Sequence, residues 1–201
     1  MRSWVGVLLA GTAALAVSGC FEHDRSLVKA RPDDTSGSWR VEHEIDRITG
    51  HPITSASVIT RVTNNTKGLQ TFPAAVSLIC SRGRLYVQFE FGLRVGAERN
   101  STLAYRVDDR LGAEAEVSFL QDHKTVHINE PQAVAKFVAD VSPGSMLLVR
   151  TSSPFGGRTF GEFRIVGAAA AFAPLLEACP LPAGSPGKHA GAARRADAGP
   201  A

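Results

Sequence analysis

Residues 85–93 read LYVQFEFGL, and this stretch decides the fold. Apolar side chains occupy every second position, and polar or small residues lie between them. Such a period of two is typical of a β-strand with one face in the core and one in solvent. Upstream, residues 76–80 alternate in the same way, and Arg82-Gly83-Arg84 provides a turn. The two runs predict a β-hairpin in which Cys80 points toward the core.

Strand patterns extend in both directions from this hairpin. Residues 39–46 alternate from Trp39 onward, and residues 55–63 are rich in β-branched side chains. Downstream, strands are predicted at residues 103–107, 115–120, 124–128, 145–151 and 158–166. Many short strands separated by turn residues predict a mainly β fold, either an antiparallel β-sandwich or a curled barrel.

The period becomes helical in two places. In residues 134–141, apolar side chains recur at i, i+3, i+4 and i+7 after Pro131, which predicts one internal amphipathic helix. Residues 172–179 have a similar spacing and predict a short C-terminal helix with Cys179 on its buried face. Pro174 fits this helix best in its first turn, where no intrahelical N–H is needed.

The N-terminus has the pattern of an export signal. Arg2 precedes an apolar run of 14 residues, 4–17. This run is shorter than the roughly 20 residues that span a bilayer. We therefore predict that residues 1–19 are a secretory signal peptide that is removed from the mature protein.

Val17-Ser18-Gly19-Cys20 resembles the bacterial lipobox, in which the cysteine is lipidated and becomes the mature N-terminus. Palmitate and other acyl chains on Cys20 would anchor the protein stably to a membrane. Phe21, rather than an aspartate, follows the cysteine, which implies sorting to the outer membrane with the domain facing the periplasm. The alternative is an ordinary signal peptide that is cleaved near Gly19.

The other two cysteines are expected to pair. If Cys20 is acylated, Cys80 and Cys179 remain, and an exported chain enters an oxidising compartment. We therefore predict a disulfide bond that closes a loop of about 100 residues and is worth about 4.7 kcal/mol in the chain-entropy model. This bond would tether the C-terminal helix to the third strand.

Composition divides the mature chain into three parts. Residues 20–38 are polar and predict a lipidated flexible tether, residues 39–179 form one β-rich globular domain, and residues 180–201 are rich in Ala, Gly and Pro and predict a disordered tail. The formal net charge is +3, but residues 20–179 contain 18 basic and 18 acidic side chains. Without a basic face, nucleic acid is not an expected partner.

No pattern in the sequence predicts catalysis, a metal site or a cofactor. His123 and His127 are four residues apart, but on one face of a strand they would lie about 13 Å apart, too far to share a metal. His43 alternates with the core residues of the first strand and is expected to be a satisfied histidine. Glu42, Glu44 and Asp46 are expected on the solvent face of that strand. The nucleophile motif G-x-S-x-G and the phosphate-binding P-loop are absent from the sequence.

Three exposed positions are candidates for a binding surface. Arg106 and Asp108 are predicted on the outward face of one strand, where they would form an ion pair of little energetic value. Tyr86, on the polar face of residues 85–93, could mark a protein-binding patch.

Residues 39–179 contain a series of landmarks: Trp39 at the first strand, Pro73, Leu78 and Cys80 in the third, the segment Tyr105-Arg106-Val107-Asp108, and Phe163, Gly167 and Cys179 near the end. In this order they resemble the VasI-like family of exported proteins associated with type VI secretion. Ile79 departs from the family, in which an arginine is expected just before the first cysteine. The lipobox is also not a typical feature of the family.

The resemblance implies an accessory envelope role without catalytic residues. The first hypothesis is therefore a non-enzymatic outer-membrane lipoprotein whose periplasmic domain binds another envelope or secretion-system protein. The alternative is an envelope enzyme or small-ligand binder on a β-sandwich. The alternative predicts a pocket that gathers at least two of His43, Asp46, His51, His123 and His127.

Overall fold

A computed structural model describes residues 25–96, 102–154 and 156–182. The strands of these residues are β1 (Leu27–Lys29), β2 (Asp34–Ser36), β3 (Trp39–Asp46), β4 (Pro52–Asn64), β5 (Thr71–Ser81), β6 (Arg84–Phe91), β7 (Thr102–Val107), β8 (Ala113–Ala115), β9 (Ser118–Phe119), β10 (Thr125–Ile128), β11 (Met146–Ser153) and β12 (Gly157–Arg164). The helices are α1 (Pro131–Val141) and α2 (Ala168–Ala178). The predicted signal peptide, Cys20 and the predicted tail from residue 183 onward lie outside the described residues.

All twelve strands belong to one antiparallel sheet that curls into a half-barrel. Its main path runs β8-β7-β11-β12-β4-β5-β6-β10-β9. The long strand β4 pairs with β5 on one side, and on the other side it pairs with β3 along its first half and with β12 near its end. The prediction of a mainly β, antiparallel, curled fold is confirmed.

The β5–β6 hairpin forms the centre of this sheet as predicted. Ser81 pairs with Arg84 across a two-residue turn. Both turn residues have positive φ, 51° at Arg82 and 72° at Gly83, the geometry that matches the right-handed twist of the strands. The inner side chains of both strands are buried: Val76, Leu78, Cys80, Val87, Phe89 and Phe91.

Helix α1 fills the inside of the curl. Phe137 is fully buried and packs edge-on against Phe89 of β6 and Tyr105 of β7, with ring centroids 5.8 and 5.3 Å apart. These strands lie far apart along the sheet, so the helix packs against two distant parts of the curled sheet at once. The Glu130 carboxylate caps the helix by accepting a hydrogen bond from the Ala133 amide at 2.6 Å.

Helix α2 closes the sheet near β3 and β5. The Trp39 ring packs edge-on against Phe172 at 4.8 Å, and its indole N–H donates to the Ile165 carbonyl at 2.9 Å. The predicted disulfide is confirmed: it joins Cys80 of β5 to Cys179 after α2, and the two cysteines are 99 positions apart in sequence.

The position of Pro174 differs from the prediction. Helix α2 begins at Ala168, after Gly167 with φ of 92°, so Pro174 lies in the second turn rather than the first. Its missing N–H falls opposite the carbonyl of Ala170, an exposed residue whose carbonyl water can solvate. Within the described residues, neither helix has the length and apolar character needed to cross a membrane.

The segment before Trp39 is folded, so the predicted tether is wrong for residues 25–38. Strand β1 pairs with β3 from Leu27 opposite Asp46, and β2 pairs with it from Ser36 opposite Trp39. These strands are held by backbone hydrogen bonds to the edge of β3, and most of their side chains are exposed. Hydrophobic periodicity therefore could not reveal them.

Residues 115–120 do not form the single strand that was predicted. Ala115 ends β8, which pairs with β7, whereas Ser118 begins β9, which pairs with β10. These two short strands lie at opposite ends of the main path. Three peptide steps span at most about 11 Å, so the two ends of the curled sheet approach each other here.

Candidate binding surfaces

The three predicted surface residues do not share one surface. Arg106 is on β7 and Tyr86 is on β6, and four strands separate β7 from β6 along the sheet. Asp108 follows β7 with φ of 50°. Its carboxylate accepts hydrogen bonds from the backbone amides of Ser145 at 3.2 Å and Met146 at 2.9 Å. The predicted Arg106–Asp108 pair is therefore wrong, because the left-handed turn directs Asp108 to the start of β11.

Arg106 lies in a groove on the outer face of β7, β11 and β12. Ala104, Leu148 and Phe160 form its apolar floor, and Arg106 and Arg150 border it. The concavity has a volume of about 330 Å³. We call these five residues the outer groove.

Register explains how the outer groove forms. Arg150 lies directly between Ala104 and Phe160, and Leu148 pairs with Arg106. Strand β8 begins at Ala113, opposite Tyr105, and Gly112, which has no side chain, lies beside Arg106.

The two arginines of the outer groove keep their hydrogen-bonding capacity. Neither Arg106 nor Arg150 forms a side-chain hydrogen bond or ion pair with another residue of the described ranges. Phe160 is 38% exposed although it lies in a strand. Cross-strand neighbours Glu114 and Glu162 place carboxylates at the margins of the groove.

A second surface lies at the end of the sheet where β4 begins. Four arginines gather around the β3–β4 and β5–β6 turns, and the tip of the first turn exposes 83% of Ile48. We call this set the basic end: Arg25, Arg47, Ile48, Arg82 and Arg84. The two turns are neighbours because Ile53 of β4 pairs with Ser81 of β5.

Tyr86 lies beside the basic end, in a concavity of about 340 Å³ that Arg82 and Arg84 also line. It is half-buried rather than fully exposed, and its ring lies 5.2 Å from that of His127. Burial raises the pKa of Tyr86 and lowers the pKa of His127. The His127 Nε2 atom lies 2.9 Å from Gln88 Oε1, so both rings are held in place.

The histidines do not converge. His123 lies in a turn with φ of 56°, and β10 begins only at Thr125. The prediction that His123 and His127 share one face of a strand is therefore wrong. The Asp122 carboxylate shapes this turn by accepting from the Lys124 and Thr125 amides, both at 2.9 Å.

Of the remaining candidates for the alternative hypothesis, Asp46 and His51 are neighbours at the β3–β4 turn, and His123 and His127 lie in separate concavities. Asp46 accepts hydrogen bonds within the β3–β4 turn, and His51 is exposed next to it. The concavity beside Tyr86 contains His127, and another, of about 620 Å³, contains His123. Across the described ranges, no three His, Cys, Asp or Glu side chains are placed to hold a metal ion.

His43 is a satisfied histidine at the edge of the core, as predicted. It is 8% exposed, and Arg31 donates a hydrogen bond to its Nε2 atom. Because a guanidinium can only donate, Nε2 is the acceptor and Nδ1 carries the proton, which it donates to Thr54 Oγ1 at 3.3 Å. The Asp34 carboxylate lies 3.9 Å from Nε2. The Arg31–His43 hydrogen bond thus requires neutral His43.

Acidification should weaken this contact. Burial, and then the charge of Arg31, lower the pKa of His43 below its usual 6.5. Since the unfolded chain takes up this proton first, the free energy of unfolding should fall as the pH drops below about 6.5. His43→Gln should show a smaller fall in urea titrations at a series of pH values. Arg31→Gln should show an intermediate one, because it removes only the facing charge. Equal slopes in the wild type and His43→Gln would contradict this role.

The landmarks of the family resemblance have structural roles in this fold. Trp39 and Phe163 are buried in the core, and Cys80 and Cys179 form the disulfide. These roles do not identify a family, so the resemblance to VasI-like proteins remains a prediction. Comparisons of the chain with protein-family models, with curated proteins and with solved structures found no match.

Proposed function

We propose that this chain is a non-enzymatic outer-membrane lipoprotein whose periplasmic domain binds another envelope protein through the outer groove. Its partner would belong to a secretion system, in line with the resemblance to the type VI-associated family. The observation that carries the proposal is the outer groove itself: an apolar floor that includes exposed Phe160, bordered by two arginines without a side-chain partner among the described residues.

The chemistry of the outer groove suits a protein partner. Aromatic residues and arginine are enriched at protein interfaces, whereas the outer face of a solvated sheet is ordinarily polar. Leu148 and Phe160 offer apolar area to bury, and the Arg106 and Arg150 guanidinia can each bind a carboxylate in a bidentate manner. A partner segment with apolar side chains and at least one acidic residue would satisfy both features.

The resemblance of residues 17–20 to a lipobox supports the proposed location. By that resemblance Cys20 would be the acylated residue, shortly before the first described strand. The Cys80–Cys179 disulfide fits an oxidising compartment such as the periplasm.

Site-specific photo-crosslinking in cells tests the proposal. A photoreactive amino acid at Leu148 of the full chain should crosslink to one envelope protein, whereas the same residue at Ser77, on the outer face of β5, should not. Arg106→Glu with Arg150→Glu should lower the yield about tenfold or more, because the guanidinium–carboxylate contacts become repulsive.

The matched control reverses two charges of β12 that flank Phe160 in sequence but do not line the groove, Arg158→Glu with Arg164→Glu. This variant should retain the crosslink. A crosslink from Leu148 that survives the groove reversal, or one that appears equally at Ser77, would overturn the proposal.

A further inference from the structure

We propose that the basic end rests directly on the membrane, with its arginines on the phosphates of anionic lipid headgroups. This inference rests on the proposed lipid anchor at Cys20 and adds an orientation to it. The outer groove would then face away from the lipid.

The first step is the position of the start of the described chain on the domain. The Arg47 amide donates to the Ser26 carbonyl at 2.8 Å, and Leu27 pairs with Asp46. The start of the described chain is therefore fastened to the β3–β4 turn, inside the basic end.

The second step is the distance from the anchor. Arg25 follows Cys20 by five residues. Five fully extended residues span at most about 18 Å. Because residues 25–36 are folded onto β3, they add no reach. An acylated Cys20 would thus hold Arg25, and the β3–β4 turn fastened beside it, within about 18 Å of the lipid surface.

The third step is charge. The basic end contributes four guanidinia, Arg25, Arg47, Arg82 and Arg84, from two adjacent turns and the segment before β1. The Asp46 carboxylate of the β3–β4 turn accepts hydrogen bonds from the Thr49 hydroxyl at 2.6 Å and the Ile48 amide at 2.8 Å. These bonds lower the pKa of Asp46, so it stays ionised and sets one negative charge against the four guanidinia. Basic side chains close to an anionic leaflet are attracted to it, and exposed Ile48 at the turn tip can enter the interface.

The fourth step is a concavity whose side chains can donate hydrogen bonds to a headgroup phosphate. Arg82, Arg84 and Tyr86 line the depression of about 340 Å³ together with Ser81, Leu85, His127 and Asn129. No carboxylate is among these lining residues. Two guanidinia and a phenol hydroxyl are donors that suit a headgroup phosphate.

The orientation follows from the length of β4. The outer groove is level with Thr63, since Phe160 pairs with that residue. Eleven residues along β4, at about 3.3 Å each, separate Thr63 from Pro52 at the basic end, or about 36 Å. A domain standing on its basic end therefore presents the outer groove to the periplasm.

Depth-dependent fluorescence quenching tests this orientation. The acylated full chain carries one added cysteine, either Ile48→Cys or Leu69→Cys, labelled with an environment-sensitive fluorophore. Leu69 is the matched control, because it is fully exposed in the turn at the other end of β4. Vesicles contain phosphatidylcholine with or without phosphatidylglycerol, and a nitroxide on the lipid headgroup is the quencher.

With phosphatidylglycerol present, the label at residue 48 should be quenched several-fold more than the label at residue 69. Arg47→Glu with Arg82→Glu should reduce the membrane-facing population about fivefold or more for each arginine. Lys67→Glu with Arg94→Glu, at the opposite end, should leave the quenching unchanged. High salt should act like the first pair of substitutions.

Failure of the proposed orientation and failure of the proposed anchor give different results. If the chain floats with the vesicles but residues 48 and 69 are quenched equally, the orientation is overturned and the anchor stands. If the chain expressed in cells incorporates no fatty acid at Cys20 and does not float, the anchor and the proposed location are overturned as well.

Discussion

Replacing Cys80 and Cys179 together with alanine should lower the free energy of unfolding by about 4.7 kcal/mol, the loop-entropy value for a bridge that closes about 100 residues. The bond fastens the end of α2 to the central strand β5, so without it the helix is held by packing alone. Urea denaturation followed by circular dichroism measures the loss.

A reducing agent supplies the control for this variant. It should destabilise the wild type by a similar amount and leave the double alanine variant unaffected. Cys80→Ala alone should resemble the double variant, but it leaves a buried free thiol at Cys179, which is 1% exposed. A wild type that unfolds at the same urea concentration with and without reductant would show that the bond contributes nothing to stability.

Trp39→Ala should cost about 3–5 kcal/mol, the range for removing a large buried aromatic side chain. Trp39 is 1% exposed and is the contact through which β3, α2 and the end of β12 meet. Its removal leaves a cavity against Phe172 and takes one of two hydrogen bonds from the Ile165 carbonyl, which keeps the bond from the Ala168 amide. The change in urea midpoint at constant slope measures the effect.

Two further variants separate packing from hydrogen bonding at this site. Trp39→Phe retains most of the ring contact with Phe172 but loses the bond to the Ile165 carbonyl, which keeps the Ala168 amide as a donor. We therefore expect a loss of about 0.5–1.5 kcal/mol. Phe160→Ala removes an aromatic side chain from the outer face and should cost less than about 1 kcal/mol. Equal effects of Trp39→Ala and Phe160→Ala would show that Trp39 is not a core residue in solution.

The central hairpin could be predicted because the hydrophobic pattern of each strand and the residues of its turn are visible within a short stretch of sequence. Alternation in residues 85–93 and 76–80, together with the turn at Arg82, determines the hairpin and the inward direction of Cys80. The helical spacing in residues 134–141 likewise identified α1. Each of these elements buries a continuous apolar face, and such a face leaves a clear period in the sequence.

Elements that depend on distant partners could not be predicted in this way. Strands β1 and β2 exist because β3 offers an edge, and their own side chains are mostly exposed. The break between β8 and β9 is imposed by two neighbours from opposite ends of the sheet. Hydrophobic periodicity does not indicate which strand edge a short strand will pair with.

The candidate sites were predicted only in part for a related reason. Arg106 was identified as exposed, but its groove is assembled from three strands whose order the sequence does not show. Asp108 and His123 both adopt positive φ, which removes them from the strand faces on which alternation placed them. The basic end was missed because its arginines are spread from residue 25 to residue 84.

The short strands at the edges of the sheet also affect how copies of the protein meet one another. A long unpaired edge strand is a template for self-association and aggregation. Here the main path of the sheet ends in strands of three and two residues, and β1 and β2 shield β3 with three residues each. An incoming strand would find only a few consecutive amide and carbonyl groups at any of these places. The fold can therefore be held at high local density on a surface without polymerising edge to edge.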